Sequence, residues 1–162
     1  MPVHTLFDNA SSIRACGLSL NLLCQQYAEH SLQRLVEGGA TVQCLFLDPD
    51  GASIGLREKE ENYPPGRLSD LTRMNIQTLQ DRVRNQLPDS CRSRLELATY
   101  DEIVRFNITL IDGRVGIVQP YLPDLRGIES PTFVLNRRWE NQGLLPVFEA
   151  IVSSLWMRGK AV

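Results

Sequence analysis

The sequence predicts an α/β domain, a mixed sheet flanked by helices, occupying residues 1–162 as a single domain. Three observations predict it. Ile103 to Ile111 and Val115 to Val118 are two apolar runs joined by Asp112-Gly113, a strong hairpin signal. Near the start, a strand, a helix and a second strand follow one another at lengths that imply a right-handed crossover and parallel pairing. Two further stretches, Leu68 to Leu87 and Leu144 to Trp156, carry apolar residues at helical spacing.

Taken in order, Ile13-Arg14-Ala15-Cys16-Gly17-Leu18 reads as a short strand. Leu20 to Val36 follows as one helix, with Leu22, Leu23, Tyr27, Leu32, Leu35 and Val36 on its apolar stripe and Gly38-Gly39 as its stop. Thr41 to Leu47 is the clearest strand. It ends in Asp48-Pro49-Asp50-Gly51, a turn in which proline fixes φ and glycine tolerates φ > 0. Ligands of such sheets sit beyond the carboxyl ends of the strands, which makes Asp48 a candidate site residue.

Arg57-Glu58-Lys59-Glu60-Glu61-Asn62-Tyr63 is either a surface segment of mixed charge or a loop over a pocket. The helix Leu68 to Leu87 presents Leu68, Leu71, Met74, Leu79, Val83 and Leu87, and Pro88 stops it. Arg94 to Tyr100 alternates like a half-buried strand. After the hairpin, Gln119 to Gly127 is a loop punctuated by proline and glycine, and Ser130 to Leu135 is a last strand blunted by Pro131. Leu144 to Trp156 closes the chain, with Val147, Ile151, Leu155 and Trp156 as its apolar side.

Composition narrows the function classes. The chain is 43% hydrophobic and 22% charged, with a net charge of −2, which gives no global electrostatic case for nucleic acid or anionic membrane. No stretch approaches the roughly 18 apolar residues of a membrane span, and Met1 to Thr5 lacks a signal-peptide pattern, so a cytoplasmic location is expected. The four cysteines, Cys16, Cys24, Cys44 and Cys91, form no CxxC and lie in or beside apolar patterns, as buried free thiols do. Phosphate-cradling, nucleophile-elbow and zincin motifs are all missing, and nothing points to a cofactor or metal.

The hairpin is where chemistry concentrates. Arg105 and Asn107 stand two apart, on one face if both lie in a strand, and the face continues toward Asp112. Such a face is either solvated or a site. Arg105, Arg57 and Arg126 are suited to gripping a phosphate or carboxylate by bidentate hydrogen bonds. Asn107, Gln119, Tyr121, Ser130 and Thr132 are suited to orienting a polar ligand. Asp48 and Asp112 would instead neutralise the arginines if the network is structural.

This stretch resembles the signature of the phospholipase D superfamily, H-x-K-x4-D on a strand followed by a turn and a second strand. Here Arg105 stands at the histidine position, Asn107 at the lysine and Asp112 at the aspartate, with Gln119-Pro120 where the family usually has Gly-Ser. The chain also resembles, more closely, a domain family of unknown function common in actinobacteria and often attached C-terminally to a helix-turn-helix domain. The phrases carrying that likeness are Leu45-Phe46-Leu47-Asp48-Pro49, Arg57 to Glu61, Arg105-Phe106-Asn107-Ile108, Gln119 to Pro123 and Arg126-Gly127.

The resemblance implies one half of a phospholipase-D-like fold. Arginine cannot replace the attacking histidine, because its guanidinium is never usefully deprotonated. Asparagine cannot supply the lysine's charge. The expected function is therefore a non-catalytic, ligand-sensing regulatory domain that binds a small anionic or polar effector. Its expected partners are a second copy of itself and a helix-turn-helix unit, on another chain or on a missing N-terminal domain. A phosphodiesterase with an altered motif and a dimerisation scaffold are the alternatives.

Overall fold

The computed structural model describes residues 2–126 and 129–162. Gly127, the end of the expected loop and of the Arg126-Gly127 phrase, lies outside the described residues. The strands are β1 (Ser12–Cys16), β2 (Thr41–Leu47), β3 (Leu95–Tyr100), β4 (Phe106–Ile111), β5 (Val115–Pro120), β6 (Phe133–Asn136) and β7 (Lys160–Ala161). They form one mixed sheet in the order β6-β5-β4-β1-β2-β3-β7. The β1–β2 and β2–β3 pairs are parallel, the others antiparallel.

The hairpin forms as its sequence dictates. Asp112 and Gly113 take φ of 55° and 61°, the two left-handed residues of a type I′ turn, and Arg114 N–H donates to the Ile111 carbonyl at 2.9 Å. The first strand pair forms as the crossover rule requires, Ser12 opposite Thr41 through Cys16 opposite Leu45. In β2, Val42, Cys44 and Phe46 join the core on one side of the sheet, while Leu45 and Leu47 join the core on the other. β3 is buried at every residue but Glu96, so it is a two-sided strand and not the half-buried one its alternation suggested.

The helices are α1 (Val3–Phe7), α2 (Asn21–Cys24), α3 (Glu29–Glu37), α4 (Ala52–Glu60), α5 (Arg67–Thr78), α6 (Asp89–Arg92) and α7 (Leu144–Arg158). The single helix expected over 20–36 is two. Leu20 takes a left-handed φ of 54° before α2, and Tyr27, between α2 and α3, turns inward so that its hydroxyl donates to Asp8 at 2.9 Å. α5 ends in a π-helical turn, Leu79–Val83, and a short 3₁₀ turn, Arg84–Gln86. Its buried stripe includes Thr72 and Asn75, and Met74 faces solvent.

Gly51 corrects the turn reading: its φ is −83°, so no left-handed freedom is needed. The position is small because a Cβ there would stand 2.5 Å from the Asp101 carboxylate. That carboxylate accepts the Ala52 and Ser53 N–H groups at 3.2 and 2.9 Å and fixes the start of α4. The segment 57–63, expected as polar surface or loop, is mostly α4, with Arg57, Glu58 and Glu61 buried. On α7, Leu145 and Val152 are buried, whereas Val147, assigned to the apolar stripe, is exposed. No helix among the described residues is long and apolar enough to cross a membrane.

Candidate functional site

A cavity of about 570 Å³ opens beside the carboxyl end of β1. One wall is the turn Leu18 to Leu22, another is the first half of α5, and the floor comes from β4 and β5. Two buried polar residues of α5 hold the turn in shape. Thr72 and Ser19 share a hydrogen bond of 2.8 Å, and the Asn75 amide donates to the Ser19 carbonyl at 2.7 Å and to Asn21 Oδ1 at 3.0 Å. These bonds support the left-handed Leu20, a conformation that costs a branched side chain about 1–2 kcal/mol.

The floor is a chain of neutral polar groups. Asn107 and Gln119 are opposite residues of the β4–β5 pair. The Asn107 amide nitrogen donates to Gln119 Oε1 at 3.3 Å, and Gln119 Nε2 donates to Thr132 Oγ1 at 2.9 Å. Asn107 Oδ1 is buried and has no partner among the described residues. It packs on Gly17, where a Cβ would come within 2.7 Å of it. Tyr121 closes one side, its hydroxyl accepting the Leu18 N–H at 3.2 Å, and burial pushes its phenol pKa up.

The structure divides the ten expected site residues. Asn107, Gln119, Tyr121, Arg126 and Thr132 line this cavity. Arg105 does not join them. β4 begins one residue later, at Phe106, and Arg105 borders a groove against α7 with Ile108 and Ile151. Arg105 and Asn107 therefore do not share the face expected of them.

Asp112 lies five residues beyond Asn107, about 16 Å along a strand. There its Oδ1 accepts the Ser11 and Ser12 N–H groups at 2.7 and 2.9 Å, tying the hairpin tip to the start of β1. Asp48 caps its own turn by accepting the Asp50 N–H at 2.9 Å. Ser130 is buried away from the cavity lining, and its hydroxyl has no partner among the described residues.

Arg57 departs most from its expected role. Its side chain is 2% exposed and every arm of the guanidinium is engaged. Nε donates to Glu61 at 2.7 Å, Nη1 to Glu60 at 2.9 Å, and Nη2 to the Leu122 and Leu125 carbonyls at 3.2 and 2.8 Å. The same group lies 5.0 Å from the centre of the Tyr121 ring. Arg57 fastens the segment after β5, with four of its five N–H donors committed to Glu60, Glu61 and the two carbonyls.

Ser19, Glu61, Tyr63, Thr72 and Asn75 complete the site and were missing from the sequence-based set. The signal for Thr72 and Asn75 was their spacing from Leu68 and Leu79 on one helical face. Glu61 was concealed in a run that read as solvated. No histidine, lysine or cysteine lines the cavity among the described residues. Burial pushes the Cys16 and Cys24 thiols up to about 12, so neither is a thiolate near neutral pH.

Comparison with known proteins bears on the family and the fold. The model of a family described as Domain of unknown function (DUF5919) matches residues 1–162, and the chain belongs to that family. No curated protein matches it. Among solved structures it is similar to phosphatidylserine synthase of Haemophilus influenzae Rd KW20, with a TM-score of 0.64 and 14% identity over 99% of this chain and 36% of that one.

It is also similar to Nuc of Salmonella typhimurium, a phospholipase D family member, at a TM-score of 0.54 and 15% identity over 99% of this chain and 88% of that one. TrmBL2, an archaeal chromatin protein described as having a novel mode of DNA binding, gives 0.53 and 14% over 98% of this chain and 48% of that one. The chain thus spans about half of TrmBL2 and about a third of the synthase. At these identities the likeness shows a phospholipase-D-like fold.

Proposed function

We propose that this DUF5919 chain is a non-catalytic regulatory domain that binds a small polar effector in the cavity beside β1. The observation that carries this reading is what occupies the former motif. At the lysine position Asn107 joins a neutral relay with Gln119 and Thr132, at the histidine position Arg105 faces away from that relay, and Asp112 is spent on backbone at the far end of the strand. A phosphoryl-transfer site requires a nucleophile and a charge-stabilising cation converging on one atom. A polar relay set among leucines suits recognition instead.

Of the three arginines expected to grip an anion, Arg126 alone borders the cavity, which favours a polar effector over a multiply charged one. The output would pass to a DNA-binding unit, a context that the likeness to the chromatin protein TrmBL2 supports. The exposed Leu144, Val147 and Met157 of α7 supply an apolar surface on which two copies would pair.

Native mass spectrometry of gently purified protein tests the reading. A stoichiometric extra mass, lost in Asn107→Leu and in Thr132→Val, is expected, together with no hydrolysis of a generic phosphodiester. Turnover abolished by Asp112→Ala in a folded protein would overturn it in favour of an enzyme with an altered motif.

A further inference from the structure

We infer that the effector carries a primary ammonium group, seated against Glu61, with an apolar body lying along Leu18, Leu20, Leu68 and Leu71. This rests on the cavity being the ligand site, and it specifies the chemistry of that site. Glu61 lines the cavity although its side chain is only 4% exposed. One carboxylate oxygen takes the Arg57 Nε–H at 2.7 Å, and the other has no hydrogen bond among the described residues. That oxygen is not among the buried atoms left without a partner, so it stays open to a donor arriving in the cavity that Glu61 lines.

The neighbouring cations leave that oxygen uncommitted as well. Arg57, Glu58 and Glu61 are all buried, two carboxylates to one guanidinium. Arg57 is shared further with Glu60, and Glu58 is occupied by the Leu68 N–H at 2.8 Å. Arg126 and Arg67 lie over the Tyr63 ring at 5.2 and 5.7 Å, and neither forms an ion pair with Glu61 among the described residues. Glu61 therefore keeps one carboxylate oxygen uncommitted where it lines the cavity.

An ammonium suits that oxygen better than other cations. It offers three donors on one small atom, one for Glu61 and two for neutral acceptors such as the floor amides. A metal ion would need several oxygen ligands, and no cluster of three metal-ligating side chains exists among the described residues. The leucines then bury the rest of a small aliphatic or amino-acid-like molecule.

Isopentylamine, isopentanol and isovalerate share one carbon skeleton and differ in charge, so they separate the possibilities. Each is titrated into the protein near pH 7 while the backbone and side-chain amides of Ser19, Tyr63, Asn107 and Gln119 are followed by NMR. The expected result is that the amine moves these signals and binds at least about tenfold more tightly than the alcohol, the worth of one charge-assisted hydrogen bond. Glu61→Gln, which keeps an oxygen for Arg57, is expected to erase that preference, and Leu71→Trp to block all three probes.

Equal binding of the alcohol, or tighter binding of isovalerate, overturns the ammonium inference while leaving the cavity a binding site. Movement by none of the three also overturns it, and the mass retained in native spectrometry then decides separately whether the cavity is a ligand site.

Discussion

The surroundings of the cavity and the outer side of α7 bury their residues by opposite means. Around the cavity, Arg57, Glu58, Glu61, Thr72 and Asn75 are all buried and all hydrogen-bonded, to one another or to backbone. α7 is apolar nearly all round, yet Leu144 is 60% exposed, Val147 53% and Met157 85%. Buried polar groups are directional: each bond fixes one distance, and together they hold Leu20 left-handed and the segment after β5 in place. Apolar surface specifies no such shape. A largely apolar helix is normally covered, and the proposed pairing of two copies would cover this one.

Substitutions sharpen the contrast, beginning with the largest effect. Arg57→Met removes the only buried cation of the cluster, leaving Glu61 unpaired and two carbonyls unbonded. A loss of about 3–5 kcal/mol in urea unfolding is expected, as for other broken buried pairs. A loss below 1 kcal/mol would show that the clamp is dispensable.

Asn75→Ala should cost about 1–3 kcal/mol for the orphaned Ser19 carbonyl and the void, and should weaken retention of the effector. Stability lost with retention intact would separate the turn from binding.

Acid unfolding examines the support of α4. The Ser53 and Ala52 N–H groups hold the Asp101 carboxyl below its ordinary value of 3.8. Its stabilisation is present above that value and disappears as pH falls through the lower folded value. Asp101→Asn should flatten that limb of the pH–stability curve. An unchanged limb would assign acid sensitivity elsewhere, for example to Glu102, which Arg158 holds low on the other side.

The smallest effect on stability is expected from Val147→Asp, within about 0.5 kcal/mol. The same substitution should nevertheless convert dimer to monomer in light scattering. An unchanged mass would mean that this surface is not where copies meet.

The parts of the fold that were legible in the sequence are those whose cause is local. β2, the type I′ hairpin and the parallel β1–β2 crossover follow from alternation, Asp112-Gly113 and connection length. The break between α2 and α3 was not legible, because Tyr27 leaves the helical pattern to reach Asp8, and nothing nearby in sequence announces that bond. β7 is two residues long, below any periodic signal.

At the site, Asn107, Gln119 and Thr132 stood out as polar residues in or beside strand-like runs. Glu61 did not, because a run of charges reads as solvated until its one arginine is found inside. Arg105 misled for a geometric reason: a strand that starts one residue late no longer fixes where the preceding side chain points.

The grip of Asp112 on Ser11 and Ser12 joins positions 101 and 100 residues apart in the chain. Closing so long a loop is entropically expensive, so this latch is expected to form late in folding, after the β4–β5 hairpin and the β1–β2 pair. Interactions made after the transition state govern escape from the native state more than arrival at it. Asp112→Ala should therefore leave the refolding rate nearly unchanged and accelerate unfolding. The residue at the place of the superfamily's aspartate would then set how long each molecule stays folded.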